Sequence, residues 1–408
     1  MTRTTSPQWL HRLAVVTAAA TLLLLGIGGL VTSHGVGLAV PDWPNSYGYN
    51  MFFFPVSQWV GGILYEHTHR LWASLVGLLT LVLALGLYGV RSRRWLRWGG
   101  VVVALLGVAM LASGRVKWDN GAFLSATGAV AIAVSFFWPS AQPAEIWQRR
   151  LGLAALVLVI VQGVLGGVRV VAVKNEIGIL HGMAAQLFFA LICVIALVTS
   201  PWWRGLGSER AAGVPRAWRL LFLGTTALIL LQLVLGATMR HQHAGLAIPD
   251  FPLAYGKLWP ATDAASLELV NQSRLDVRDF GPVTAFQVHL HMLHRLLAVA
   301  ILLAVSFCAT RCWRGHGARS LCAKLSMLWL GLILAQAVLG ALTVLQNKPA
   351  DIATLHVMVG AACLAVGSLV TVLVFRWSLV PAKAGLLPAR ERAETASVPG
   401  ARGAMSAA

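Results

Sequence analysis

Long apolar runs are the feature that most restricts how this chain can fold. Two examples are Leu71 to Val90 and Leu220 to Leu235. Runs of about 20 residues match the thickness of the hydrocarbon core of a bilayer. Because lipid offers no partner to backbone N–H and C=O groups, such segments must be helical. Only 11% of the 408 residues are charged, far fewer than a soluble protein of this length carries. The sequence therefore predicts an all-α polytopic membrane protein.

The apolar runs predict about ten transmembrane helices. They lie at residues 12–32, 69–90, 98–114, 121–138, 152–172, 177–200, 217–239, 287–310, 325–345 and 353–378. The first run is too long for the apolar segment of a cleavable signal peptide, so it is predicted to be a span. Residues 381–408 are rich in Ala, Arg, Pro and Gly, which predicts a disordered cytoplasmic tail.

The positive charges are predicted to lie mainly on one side of the membrane. A net charge of +18 alone would also suit a protein that binds nucleic acid. With a cytoplasmic N-terminus and one crossing per span, however, the inner side holds 21 of the 32 Lys and Arg residues and 4 of the 14 Asp and Glu residues. This distribution is typical of a multi-pass protein of the cell inner (plasma) membrane with both termini in the cytoplasm. Membrane lipid, and no nucleic acid, is the expected surrounding.

The chain contains an internal repeat. The segment Gly37 to Gly48 (GLAVPDWPNSYG) returns 208 positions later as Gly245 to Gly256 (GLAIPDFPLAYG). Three further blocks return in the same order: His69-Arg-Leu as His294-Arg-Leu, Gln162-Gly-Val-Leu-Gly as Gln336-Ala-Val-Leu-Gly, and Leu180-His-Gly-Met as Leu355-His-Val-Met. Four blocks in one order predict two repeated four-helix bundles, at residues 1–200 and 201–380.

An insertion distinguishes the two halves. His69 and His181 are 112 residues apart, whereas His294 and His356 are 62 residues apart. The additional residues lie at about 95–145 and contain two apolar stretches of marginal spanning length. Because the arginine clusters on both sides belong to the cytoplasmic face, the insertion crosses the membrane an even number of times. An inserted helix pair is predicted; a pair that lies at the interface without crossing is the alternative.

Histidines gather at the predicted outer ends of the spans. Ten of the twelve lie there or in outer loops, and four recur between the halves: His69, His181, His294 and His356. In each half the two recurring histidines lie on parallel helices, the second and the fourth, at the same depth. Two imidazoles placed in this way suit bis-histidine ligation of a haem iron between helices. Two haem sites are predicted; four separate structural histidines are the alternative.

Charged residues beside the histidines differ between the halves. Glu66 lies one turn before His69 on the same helix face, and the aligned position in the second half is His291. This asymmetry predicts a catalytic role for Glu66, with a structural bond to Arg70 or to a backbone amide as the alternative. Arg70 and Arg295 follow the paired histidines and are predicted to bind haem propionates; snorkelling to the interface is the alternative. Further propionate candidates are Arg169, Lys174 and Arg240.

These motifs resemble the heme A synthase family over about residues 13–378, except in the insertion. The motifs are Glu66-His-Thr-His69-Arg-Leu, His294-Arg-Leu, the two Gly-Leu-Ala-x-Pro-Asp loops, Gln162-Gly-Val-Leu-Gly-Gly and the late histidines His181 and His356. The resemblance implies oxidation of the C8 methyl of heme O to the formyl group of heme A, for cytochrome c oxidase. It also implies that heme O, the substrate, binds between His69 and His181. A heme b cofactor would bind between His294 and His356, and Glu66 would stand beside the substrate.

The resemblance has further implications and two exceptions. A heme O synthase and an electron donor are implied as partners, and a homo-oligomer is compatible with it. Many members carry a cysteine pair in the first outer loop, whereas residues 32–60 contain no cysteine here, and the insertion is unusual. Two other functions fit part of the pattern. One is a diheme b-type, quinol-linked electron-transfer cytochrome without haem modification. The other is a transporter built on repeats, which would have polar groups near the membrane midplane.

Overall fold

The computed structural model describes residues 7–173, 175–205, 216–274 and 281–378. This described part consists of α-helices joined by loops and short 3-10 turns, and it contains no β-strand. The helices are α1 Gln8–Ser33, α2 Gly61–Tyr88, α3 Ser92–Ser113, α4 Trp118–Phe137, α5 Ile146–Ala172, α6 Asn175–Thr199, α7 Pro201–Gly205, α8 Arg216–His241, α9 Ala264–Ser273, α10 Ala285–His316, α11 Leu321–Leu345 and α12 Ala350–Ser378. The predicted all-α fold is confirmed. The predicted tail at 381–408 lies outside the described residues.

The described residues contain nine stretches of helix that are long and apolar enough to cross a membrane. One of them, Gly61–Ser113, has 53 residues, which is more than twice the roughly 20 that a span needs. It comprises α2 and α3, separated by a 3-10 turn at Gly89–Arg91. Gly89 has a φ of +59°, and a Cβ atom there would lie 2.3 Å from the carbonyl oxygen of Ala141. The stretch is divided at this glycine into two helices, α2 and α3. The sequence predicts both of them as separate spans, whereas the count of nine includes them as one.

Helix α2 begins at Gly61, eight residues before the predicted span at 69–90. Hydropathy excludes this first part, residues 61–68, because it contains Glu66 and His67. In the structure, however, Glu66 and His67 are buried and bonded to the first outer loop: Glu66 accepts from Val40 N, and His67 Nδ1 lies 3.2 Å from Ser46 Oγ. Polar side chains that find partners can extend a helix beyond its apolar run.

The main part of the bundle has two apolar interiors. The first lies among α1, α2, α5 and α6 and includes Leu10, Leu83 and Ile192. The second lies among α8, α10, α11 and α12, with contributions from α6, and includes Phe222 and Trp329. Helices α1, α6, α8 and α12 pack against one another between these interiors. The first and second halves therefore share a packed interface.

The two loops predicted to lie on the outer side, one before α2 and one before α9, have the same local structure. In the first, Asp42 accepts hydrogen bonds from Tyr47 N and Gly48 N, both at 2.7 Å. In the second, Asp250 accepts from Tyr255 N and Gly256 N at 2.7 and 2.8 Å. The hydroxyls of both tyrosines donate to loop carbonyls, Tyr47 to Ala39 and Tyr255 to Ala247. Burial raises the pKa of Tyr255, which keeps its hydroxyl protonated as a donor.

The insertion forms a tight hairpin of α3 and α4. Each helix has two glycines seven residues apart, which allow the two backbones to touch. They are Gly100 and Gly107 in α3, and Gly121 and Gly128 in α4. A Cβ atom at Gly128 would lie 2.4 Å from the backbone nitrogen of Ala104, so no larger residue fits there. The end of the hairpin near Lys117 contacts the first outer loop. Its contacts are Lys117 Nζ to Gly48 O at 2.6 Å, Asn120 Oδ1 to Asn50 Nδ2 at 3.0 Å, and stacked rings of Phe123 and Phe52 at 4.9 Å.

Candidate haem sites

Each recurring histidine packs against a glycine of the preceding long helix of its half. A Cβ atom placed on Gly28 of α1 would lie 2.9 Å from Cε1 of His69 on α2. The other three contacts, measured in the same way to Cε1, are 3.4 Å for Gly166 and His181, 3.3 Å for Gly236 and His294, and 3.3 Å for Gly340 and His356. The absence of a side chain at these glycines makes room for the imidazoles between the helices.

The four histidines form two pairs. His69 on α2 and His181 on α6 lie within electrostatic range of each other, and so do His294 on α10 and His356 on α12. Among the described residues, Nδ1 of His69, His294 and His356 is buried without a hydrogen-bond partner. A buried polar nitrogen without a partner costs free energy, which a ligand at the site would offset.

Two histidines per site fit a haem better than a simple metal ion. The described residues contain no group of three or more His, Cys, Asp or Glu side chains that could hold a metal. A zinc or similar site normally takes at least three ligands from the protein. A haem supplies the equatorial ligands itself and takes axial ligands from histidine. The donor set of two histidines per site therefore fits two haems.

A glutamine lies beside the ring of His181. Gln162 of α5 is buried, and its amide group is oriented so that each atom has a partner. The nitrogen lies 3.0 Å from Nδ1 and 3.1 Å from the carbonyl oxygen of His181, and the oxygen accepts from Ala185 N at 3.2 Å. At the second site, Gln232 Nε2 donates to the carbonyl oxygen of His294 at 3.0 Å. Glutamines thus fix the helix backbone beside one histidine of each pair.

Glu66 is 4% exposed, and both of its carboxylate oxygens are bonded. One accepts from Val40 N at 2.9 Å, and the other forms an ion pair with Arg70 at 2.7 Å. These are the two contacts expected if Glu66 has a structural role rather than a catalytic one. The carboxylate also lies within electrostatic range of Arg169. Glu66 therefore connects the first outer loop to the helix that carries His69.

Arg70 and Arg295 bind the outer loops. Arg70 donates to the carbonyl oxygens of Val40, Asp42 and Asn45 at 2.6, 2.6 and 3.0 Å. Arg295 donates to the carbonyl oxygens of Asp250 and Leu253, at 2.7 and 2.9 Å. These bonds fasten each loop to the histidine-bearing helix. A propionate bound to either guanidinium would have to share or replace them, so the propionate role of both arginines stays a prediction.

These four glycines were not predicted from the sequence, although two of them stand in the repeated blocks. Gly166 and Gly340 are the final residues of Gln162-Gly-Val-Leu-Gly and Gln336-Ala-Val-Leu-Gly. Gly28 and Gly236 are separated by 208 positions, which is also the offset of the repeated loops. Alignment of the halves could have found all four. Lys174, a predicted propionate candidate, lies outside the described residues.

Comparison with known proteins agrees with the resemblance. Residues 121–367 match the COX15-CtaA family, described as cytochrome oxidase assembly protein. The chain is 32% identical over 168 residues to a heme A synthase of Hyphomonas neptunium, covering 41% of this chain and 44% of that protein. It is 25% identical over 228 residues to a heme A synthase of Brucella ovis, covering 56% and 60%. The chain thus spans about half the length of the relatives it matches. Because the family match covers more than half of the sequence, the chain belongs to the COX15-CtaA family of cytochrome oxidase assembly proteins.

Proposed function

We propose that this protein is a heme A synthase, a membrane haem oxidoreductase that converts the C8 methyl of heme O to the formyl group of heme A. The observation that carries the proposal is the presence of two histidine pairs, each imidazole against a glycine, in a member of this family. Proteins named heme A synthase are among its relatives. Heme A is required by cytochrome c oxidase, in agreement with the role of the family in oxidase assembly.

The two pairs have different roles in this proposal. His69 and His181 hold heme O, the substrate, and His294 and His356 hold a heme b cofactor. A bound haem supplies the one-electron chemistry that amino-acid side chains lack. The chain itself orients the two macrocycles between helices and excludes water from the apolar interior. Glu66 of the first half aligns with His291 of the second half. This difference supports placing the reaction in the first half, where the position carries a carboxylate.

Glu66 is the proposed catalytic residue. Conversion of a methyl to a formyl group breaks C–H bonds at the methyl carbon, so a base that accepts a proton beside the substrate accelerates it. Glu66 is buried one turn from His69. Its ion pair with Arg70 and its bond from Val40 N hold the carboxylate in one position. When Glu66 accepts a proton in this role, one of these two bonds breaks.

We further propose that the protein lies in the inner (plasma) membrane with both termini in the cytoplasm. It receives heme O from a heme O synthase and electrons from a separate donor. The charge distribution supports this topology. The histidine pairs would then lie near the outer face of the membrane.

A diheme b-type electron-transfer cytochrome is the second candidate function. Two observations favour it. Both oxygens of Glu66 bond the chain, as those of a purely structural residue would. The glycine contacts of the histidines are also alike in the two halves. Such a cytochrome would carry two haems and leave both unmodified.

Pigment analysis separates the two functions. The full chain would be expressed with a heme O synthase in a host that makes no heme A, and haems extracted from the purified protein would be identified by mass. A synthase yields heme A or a hydroxylated heme O, and these masses should be absent from the same host without the chain. Heme b as the sole pigment would refute the synthase function and support the cytochrome.

A further inference from the structure

Basic side chains from both halves meet at one end of the bundle. Arg169 lies in the last turn of α5, Arg240 and His241 in the last turn of α8, and Lys348 between α11 and α12. A Cβ atom on Gly178 of α6 would lie 3.3 Å from Nε of Arg169 and 2.5 Å from Nε2 of His241. Side chains of the first and second halves therefore meet over α6.

The second half also reaches α1. Nη2 of Arg240 donates to the carbonyl oxygen of Gly29 at 2.9 Å and to Oγ of Ser33 at 2.6 Å. Gly29 directly follows Gly28, the glycine against which His69 packs. Arg169 lies within electrostatic range of both His69 and His181. Arg169 and Arg240 are therefore beside the first histidine pair, although Arg240 belongs to the second half.

The positive charges of this group lie close to one another. Arg240 lies within electrostatic range of both Arg169 and Lys348. Among the described residues, the carboxylate in range of Arg169 is that of Glu66, which is already paired with Arg70. Lys348 lies in a loop, where burial and the charge of Arg240 lower its pKa. Clustered, partly buried cations are costly unless an anion joins them.

The two arginines of this group are not repeated at the second histidine pair. Under the repeat alignment Arg169 corresponds to Thr343 and Arg240 to Thr32, whereas Lys348 corresponds to Lys174, which lies outside the described residues. The two halves therefore share their histidines and glycines but differ at these two arginines. A site that must recognise an exchangeable ligand gains from charges that a permanently occupied site does not need.

We propose that Arg169, Arg240 and Lys348 form a carboxylate-binding site for the propionates of the haem held by His69 and His181. This inference rests on the proposed function, since it takes the ligand of the first pair to be a haem. Guanidinium groups bind carboxylates through paired, charge-assisted hydrogen bonds. In Arg70 and Arg295 both Nη atoms donate to loop carbonyls, whereas the bonds from Arg240 to α1 come from Nη2. The second half thus completes the site of the first.

Haem and its dimethyl ester distinguish this site from simple apolar binding, because the ester keeps the macrocycle and iron but lacks the carboxylates. The purified full chain would be titrated with each compound and followed by absorbance. Wild type should bind the free acid roughly tenfold or more tightly than the ester, the range expected for a charged hydrogen bond. In Arg169→Gln and Arg240→Gln, affinity for the acid should fall by a similar factor while affinity for the ester stays constant. Arg94→Gln, at an exposed arginine of α3, is the matched control and should keep the wild-type preference.

Each outcome decides between the inference and its alternatives. Equal binding of acid and ester by wild type, or an unchanged preference in both glutamine variants, would overturn the carboxylate site and leave the haem function standing. Wild-type chain that binds neither compound would refute the proposed function together with the site. If the glutamine variants do not fold, Arg169→Lys and Arg240→Lys retain the charge but lose the paired hydrogen bonds, and their preference must still fall below that of wild type.

Discussion

Gly28→Ala isolates the contact between α1 and His69. The added Cβ would lie 2.9 Å from Cε1 of the imidazole, whereas two carbon atoms attract each other best at roughly 3.5–4.0 Å. The ring must therefore move by about 0.6–1 Å, which misplaces an axial ligand. Overpacking of this kind costs about 1–3 kcal/mol, which corresponds to a roughly 5- to 150-fold loss of haem affinity at the first site.

Gly166→Ala is the matched control within the same site. Its Cβ would lie 3.4 Å from Cε1 of His181, close to an ordinary contact, so the ring needs almost no movement. Alanine also favours a helix over glycine by about 0.5–1 kcal/mol, and neither variant should lose thermal stability through the backbone. Haem titration and thermal unfolding of both purified variants test this. Unchanged haem affinity in Gly28→Ala, or an equal loss in Gly166→Ala, would refute the packing argument.

Three further predictions address the reaction, the cofactor and the topology. Glu66→Gln should fold, keep its heme b and accumulate heme O or a hydroxylated haem, because loss of a general base slows a reaction by about 10²–10⁴-fold; a wild-type content of heme A at normal protein level would eliminate the catalytic role. His294→Ala and His356→Ala should each abolish the low-spin bis-histidine spectrum of the second site, and an unchanged spectrum in both would contradict the assignment. In intact cells, a membrane-impermeant thiol reagent should label Ser266→Cys but not Ser208→Cys, a position outside the described residues; the reverse pattern would show that the predicted topology is wrong.

The sequence was sufficient to predict the helices because lipid restricts the backbone so strongly. Hydropathy failed where buried polar groups find partners, as at the start of α2. Glu66 and His67 belong to that helix because Val40 and Ser46 of the preceding loop fold back onto them. Such a contact depends on the loop conformation, which no periodicity of the sequence encodes.

In the candidate site, too, residues could be predicted from the sequence, but contacts that depend on the fold could not. His69 and His294 could be located because the repeat preserves them. The repeat alone could not indicate that Arg70 donates to three loop carbonyls, since that requires the loop to lie over α2. Nor could it indicate that Arg240 reaches α1, because a contact between the halves depends on how the two bundles pack.

The contact of the inserted hairpin with the first outer loop determines which interactions hold that loop in position. Residues 32–60 contain no cysteine, and Lys117, Asn120 and Phe123 of the hairpin bind the loop at Gly48, Asn50 and Phe52. A disulfide requires an oxidising compartment and a thiol oxidase to form it. A loop fastened by hydrogen bonds and stacked rings requires neither. The contact between the hairpin and this loop is therefore independent of the redox state of its surroundings, and thiol reductants should not loosen it.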